Sequence, residues 1–90
     1  MNTTITEAIA QRMLLELTYH GERRTVEPHI YGIDTKGHDA LLTYQVTGAK
    51  TGWRMLHVSE IHGLIITNNG FSGPRGRGNA KQFSQVFIHV

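Results

Sequence analysis

The stretch from Trp53 to Ile66, Trp-Arg-Met-Leu-His-Val-Ser-Glu-Ile-His-Gly-Leu-Ile-Ile, restricts the fold more than any other part of the chain. Its first half alternates with the two-residue period of a strand that buries one face. Ser59-Glu60-Ile61-His62-Gly63 then breaks the run, and the residues that follow are apolar enough to predict a second, buried strand. Two strands joined by so short a break predict a corner in a small, closed β structure. With 90 residues in all, the expected core buries only about 60 to 65% of the unfolded surface. That leaves no room for a large enclosed active-site cavity.

The rest of the chain fits around that corner. Thr4 with Glu7 three residues on matches a capping box, and Ile5, Ala8, Ile9, Arg12 and Met13 share one stripe. Together they predict a helix from Ile5 to Arg12, laid as a lid over one end of a barrel. Leu14 to Tyr19 alternates as a strand, with Leu15, Leu17 and Tyr19 on one face. His20-Gly21-Glu22 is a hairpin connection in which Gly21 supplies positive φ. In the return strand, Arg23 to Ile33, Pro28 has no N–H to give to a ladder and predicts a bulge or an edge position. Asp34-Thr35-Lys36-Gly37 is a turn by composition, Asp39 to Val46 a third strand, and Thr47 to Gly52 a polar loop. After the corner, Thr67 to Gly70 closes the strand and Phe71 is expected back in the core. Ser72 to Ala80 holds three of the ten glycines and predicts a loop without regular structure. Gln85 to Val90 alternates as a sixth strand, with a helical turn over Lys81 to Phe87 as the competing reading. The expected fold is therefore mainly β: a single domain, residues 1–90, forming a small SH3-like or Sm-like barrel of five or six strands with one N-terminal helix.

Composition removes whole classes of function. The chain has no cysteine, so disulfides, zinc–thiolate sites and a thiol nucleophile are out, and a reducing cytoplasm is the natural compartment. No apolar run approaches the roughly 20 residues that cross a bilayer, and Glu7 and Arg12 interrupt any leader-like segment, so no membrane association is expected. A Ser/His/Asp arrangement on a nucleophile elbow, paired catalytic carboxylates and a P-loop are all missing. The chain reads as non-enzymatic and without a cofactor. Six histidines raise a metal site, but no His-x-x-x-His or His-x-His pair is present, and scattered surface or core histidines account for them better.

Charge is slightly basic, with nine Lys plus Arg against seven Asp plus Glu. From residue 54 onward the basic residues are Arg54, Arg75, Arg77 and Lys81, against the one acid Glu60. An anion-attracting face is expected in that half. Arg54, between Trp53 and Met55 on a strand, points away from both and has the forked donors that suit a phosphate. Pro74-Arg75-Gly76-Arg77-Gly78 pairs glycines, which let backbone approach a phosphate, with arginines that neutralise it. Tyr44, Gln45 and His29 are the residues expected to place the rest of a ligand.

Three segments taken in order carry a resemblance. These are Leu-x-Leu-x-Tyr-x-Gly-x-x-Arg-x-Val-Glu-Pro from Leu15 to Pro28, Trp-Arg-x-Leu-x-Val-x-x-Ile-x-Gly-Leu from Trp53 to Leu64, and Phe-x-Gly-Pro-Arg from Phe71 to Arg75. Their order and spacing resemble the WYL-domain family, particularly its small stand-alone members. The naming triplet falls here on Ala40-Leu41-Leu42, and Glu60 stands where the family has a second basic residue. The resemblance implies an Sm-like SH3 barrel that senses a nucleotide or nucleic acid in transcription regulation. No winged helix is present in these residues, so the implied partner is a separate DNA-binding regulator. The leading expectation is a regulatory module that binds a nucleotide or single-stranded nucleic acid on a basic face. The alternative is an assembly module that forms a homo-oligomer or engages a partner through an exposed edge strand at Gln85 to Val90.

Overall fold

The computed structural model describes residues 1–48, 50–76 and 80–90. Its elements are α1 (Thr3–Gln11), β1 (Met13–Tyr19), β2 (Glu22–Asp34), β3 (Asp39–Gln45), β4 (Gly52–His57), β5 (Ile61–Gly70) and β6 (Phe83–His89). Short 3-10 turns at Val58–Glu60 and Ala80–Gln82 precede the last two strands.

The helix starts earlier than the capping-box reading placed it. Asn2 is the N-cap, its Oδ1 accepting the Ile5 N–H at 3.1 Å, and its own N–H donates to the Tyr31 hydroxyl at 2.9 Å. Glu7 accepts from Gln11 one turn on instead of reaching back to Thr4. Arg12 takes left-handed backbone geometry, φ 55°, and its N–H closes the helix onto the carbonyls of Ala8 and Ile9. Ile5, Ala8 and Ile9 are buried on the sheet, which supplies the stability a nine-residue helix lacks alone.

All strand pairs are antiparallel, and the order is β4-β3-β2-β1-β5, with β6 pairing β2. β2 organises them. Its first residues pair with β1 (Val26 opposite Leu15, Glu22 opposite Tyr19) and its last with β6 (Ile30 opposite His89, Asp34 opposite Phe83). β3 lies along the other edge from Val26 to Ile33. β1 and β6 therefore share one edge of a single bent strand. The β2–β3 register slips between Pro28 and Ile30, so Pro28 does sit at a bulge, where its missing donor costs no ladder bond. The hairpin between β1 and β2 turns at His20 (φ 50°) and Gly21 (φ 79°).

The corner is present, and its break is the 3-10 turn Val58–Glu60, earlier than the residues first assigned to it. The strand after the break is not buried. β5 is an end of the sheet, and Ile65 is 53% exposed. Only Ile61, Leu64 and Ile66 pack against the core. A strand this apolar looks like a two-faced core strand, but Ile66 lies beside the core residue Leu15 and Ile65 beside Glu16, so only one face of β5 is covered. The ladder runs from β4 to β5 without joining those two strands to each other, so the sheet is open along its hydrogen-bonded path.

The apolar side chains form two clusters. Ile5, Ala8, Ile9, Leu15, Leu17, Tyr19, Val26, Tyr31, Leu41 and Leu56 make the larger one, beneath the helix. Ile30, Ala40, Leu42 and Phe83, with Trp53 and Met55 against them, make the second. Because neighbours on a strand point to opposite faces, adjacent residues of β3 (Leu41, Leu42) and β4 (Met55, Leu56) feed different clusters. Phe71 belongs to neither. It is half-buried against the His29 ring, at 5.3 Å, while its N–H donates to the Arg12 carbonyl at 2.9 Å.

The β2–β6 approach is close enough to test. A Cβ at Gly32 would lie 2.0 Å from the Gln85 carbonyl oxygen, so Gly32→Ala must push β6 away. Destabilisation of about 1–3 kcal/mol or more is expected in urea unfolding. The same change at Gly37, where a Cβ meets nothing within 4 Å but φ is +88°, should cost about 1 kcal/mol through backbone strain alone.

Candidate functional site

The residues expected on one basic face fall on two faces of the sheet. Register decides this. Gln45 pairs with Val26 and Gly52, and Thr43 pairs with Arg54. Arg24, Gln45 and Arg54 therefore line up across β2, β3 and β4 on the side of the larger core. Tyr44, Glu27 and Trp53, each one residue away, line up on the other side, where Tyr44 faces Glu27 on one flank and Trp53 on the other.

The first group forms a polar pocket of about 260 Å3 lined by Glu22, Arg24, Gln45, Lys50 and Arg54. Arg24 is held in place: its Nη1 donates to Gln45 Oε1 at 3.1 Å and its Nη2 to the Tyr19 carbonyl at 3.1 Å. Its guanidinium also lies 5.5 Å from the Tyr19 ring centroid. Gln45, 2% exposed, is fixed by its amide nitrogen donating to the Thr47 carbonyl at 2.7 Å. The Nε atoms of Arg24 and Arg54 are buried and make no hydrogen bond among the described residues. Buried donors without partners are costly, about 1–3 kcal/mol each. Three cations line this pocket with one acid, Glu22, whose Oε2 is 3.7 Å from Arg24. The pocket thus keeps a positive excess.

The second group is built on a buried acid that the sequence reading did not single out. Glu27 is 6% exposed. Arg75 forks onto it, Nε to Oε1 at 2.7 Å and Nη2 to Oε2 at 2.9 Å, and His29 Nε2–H donates to Oε1 at 2.9 Å. The Arg75 guanidinium lies over the Tyr44 ring, 3.7 Å from its centroid, and Trp53 meets both Tyr44 and His29 edge-on at 5.4 and 4.9 Å. Beside this cluster is a cleft of about 240 Å3 lined mainly by His29, Ile30, Pro74, Arg75, His89 and Val90. Burial alone pushes the Glu27 carboxyl up, but the hydrogen bonds from Arg75 and His29, with the charges behind them, outweigh it and hold the acid below its ordinary value. The same fork keeps Arg75 above its ordinary value.

Arg54 and Gln45 thus share the basic pocket, while Arg75, Tyr44 and His29 meet around Glu27. Lys81 lies exposed on the 3-10 turn before β6 and lines neither pocket. Arg77 lies outside the described residues. Glu60 pairs with His20 and His57, at 2.9 and 3.2 Å. Arg24 and Lys50 were missed as pocket residues. Arg24 carries a usable signal, since it alternates with Val26 and so shares the face of a core residue.

No protein-family model, no curated protein and no solved structure matches the chain.

The Glu27 cluster has a defined acid response. Its folded-state pKa is depressed, so the stabilisation is fully present above the unfolded carboxyl value and is lost as pH falls through the folded value. Glu27→Gln should lower stability by about 1–3 kcal/mol at neutral pH. In pH-resolved denaturation below about pH 4.5 the variant and the parent should converge. A constant difference down to pH 2 would contradict this assignment.

Proposed function

We propose that this chain is a regulatory binding module of the WYL-like kind. It takes a phosphate-bearing ligand, a nucleotide or a short single-stranded nucleic acid, in the pocket lined by Glu22, Arg24, Gln45, Lys50 and Arg54. The observation that carries the reading is the convergence of Arg24, Arg54 and Lys50 on one pocket that holds a single acid, Glu22. Arg24 is pre-oriented by Gln45 and the Tyr19 carbonyl, so little side-chain entropy is lost when an anion arrives. Arg54 and Lys50 complete the charge. Gln45, with its oxygen turned to Arg24 and its nitrogen to Thr47, positions the cations and does not itself read the ligand.

The resemblance of Leu15–Pro28 and Trp53–Leu64 to the WYL family supports the same reading, and with it an SH3-like or Sm-like barrel as the finer description of the fold. Two features favour that description: the bent β2 shared by β1, β3 and β6, and the single 3-10 turn between β4 and β5. Transcription regulation, through a separate DNA-binding partner in the cytoplasm, follows from the family likeness.

The test is calorimetric titration with mononucleotides and short single-stranded DNA and RNA at two salt concentrations. Arg54→Ala should weaken phosphate-dependent binding about 10- to 100-fold, the loss of one charge-assisted contact. The melting temperature should stay within about 2 °C, and the slope of log K against log salt should fall by about one. Equal affinity in parent and variant would overturn the assignment.

A second reading, self-assembly, is favoured by one observation. β5 ends the sheet and exposes Ile65, which suits pairing with another strand edge. β6, the edge expected from the sequence, is likewise hydrogen bonded to one strand alone, β2, among the described residues, and exposes Val86. If β5 mediates assembly, Ile65→Lys should convert a dimer to a monomer in sedimentation analysis. A parent protein that is monomeric at high concentration removes this reading.

A further inference from the structure

Away from both pockets, three residues distant in sequence converge where the β2–β3 turn meets the end of β4. Asp34 closes β2, His38 follows the turn, and His57 ends β4 opposite Ala40. One ligand atom from each lies within 4.8 Å of the others. We propose that Asp34, His38 and His57 form a binding site for a late first-row divalent metal ion, with zinc as the natural occupant.

Three features argue for a built site. The Asp34 carboxylate is fixed by the backbone: Oδ1 accepts the N–H groups of Lys36 and His38 at 2.9 and 2.8 Å, while the Asp34 N–H donates to the His38 carbonyl at 2.8 Å. That leaves Oδ2 facing both imidazoles, 3.4 Å from His38 Nδ1 and 3.7 Å from His57 Nε2. Tetrahedral ligands at about 2.0–2.2 Å from zinc stand about 3.3–3.5 Å apart, so both carboxylate–imidazole spacings are already close to what the ion requires.

The second feature is the tautomer. His57 Nδ1 is 3.2 Å from Glu60 Oε2, so a proton on Nδ1 would face that carboxylate and leave the Nε2 lone pair on the side of Asp34. A carboxylate behind a ligating histidine is the arrangement that orients metal-binding imidazoles and raises their basicity. Glu60 is steadied in turn by His20 Nε2 at 2.9 Å from its other oxygen. The third feature is access. His38 and His57 are 54% and 40% exposed at the side chain while Asp34 is 12% exposed, so an ion can enter without rearrangement of the core. A shallow cleft of about 300 Å3 with Asp34, His57, Met55 and Gln82 on its walls adjoins the site. Two nitrogens and one oxygen favour zinc, cobalt, nickel or copper over magnesium or calcium, which prefer all-oxygen shells. Three protein ligands leave a fourth position toward solvent, where water or a ligand atom completes the tetrahedron.

The test uses the full chain and metal salts alone. Titration with Co2+ should give the visible absorption of a four-coordinate ion saturating at one equivalent, and Zn2+ should displace it. His38→Ala and His57→Ala should each weaken Zn2+ binding at least tenfold in calorimetry. Glu60→Gln should weaken it about tenfold while one equivalent is still bound, as expected of a group that positions His57. His62→Ala, which removes an exposed histidine on β5 outside the cluster, should change nothing. Both ligand histidines are substantially exposed, so unchanged melting temperatures of the apo variants are expected and confirm that they fold. Absence of stoichiometric binding in the parent chain would overturn the proposal, as would binding that survives both His38→Ala and His57→Ala.

Discussion

The structure depends on one strand serving three others. β2 runs thirteen residues and, among the described residues, is the one strand hydrogen bonded to β1, β3 and β6 together. A straight strand has two edges and can serve two long neighbours. β2 serves three because it bends after the Pro28 bulge, giving β1 its first half and β6 its second on the same edge. Proline at the bulge and glycine at the closest β2–β6 approach are the two residue types this geometry needs. Pro28 has no donor to strand, and Gly32 has no side chain to collide with Gln85. The bend also buries both faces of β2 from Val26 to Gly32, which is why polar residues in that span carry so much consequence.

Glu27 and His29 are those polar residues. A carboxylate at 6% exposure is tolerated only when it is paired and its oxygens are occupied. Arg75 and His29 share Oε1, Arg75 also takes Oε2, and the guanidinium lies over the Tyr44 ring. The consequence is long-range. Arg75 belongs to the glycine-rich stretch after β5, so an acid on β2 fastens that stretch across the sheet and shapes the cleft beside Val90.

Much of this was legible in the residues. Two-residue alternation located every strand to within a few positions, because each packs one face on a core and the other on polar surroundings or the second cluster. The Pro28 bulge followed from the missing N–H, and the break before β5 from its polar residues. What alternation cannot show is which strand ends the sheet. Ile65 and Ile66 look equally buried in sequence, yet only Ile66 packs on the core. Nor does it fix register between strands, and the sites live in register. Arg54 and Arg75 read as members of one basic face until the pairing of Tyr44 with Trp53 and of Thr43 with Arg54 sends them to opposite sides. Asp34, His38 and His57 fit no local metal motif because the third member arrives from β4, across a hydrogen-bonded ladder.

The same register explains why two arginines that look alike have different uses. Arg75 sits among glycines, the setting associated with phosphate contacts, but its fork is already filled by Glu27 in the geometry a phosphate would need. An incoming anion would have to displace that carboxylate and leave it buried beside His29 without its guanidinium, an uncompensated buried charge. Arg54 sits on an unremarkable strand, yet its Nε is buried without a partner, next to Arg24 in the same condition, and one acid faces three cations. Arg75 therefore serves to hold its segment to β2, while Arg54, with Arg24 and Lys50, lines the pocket that keeps a positive excess.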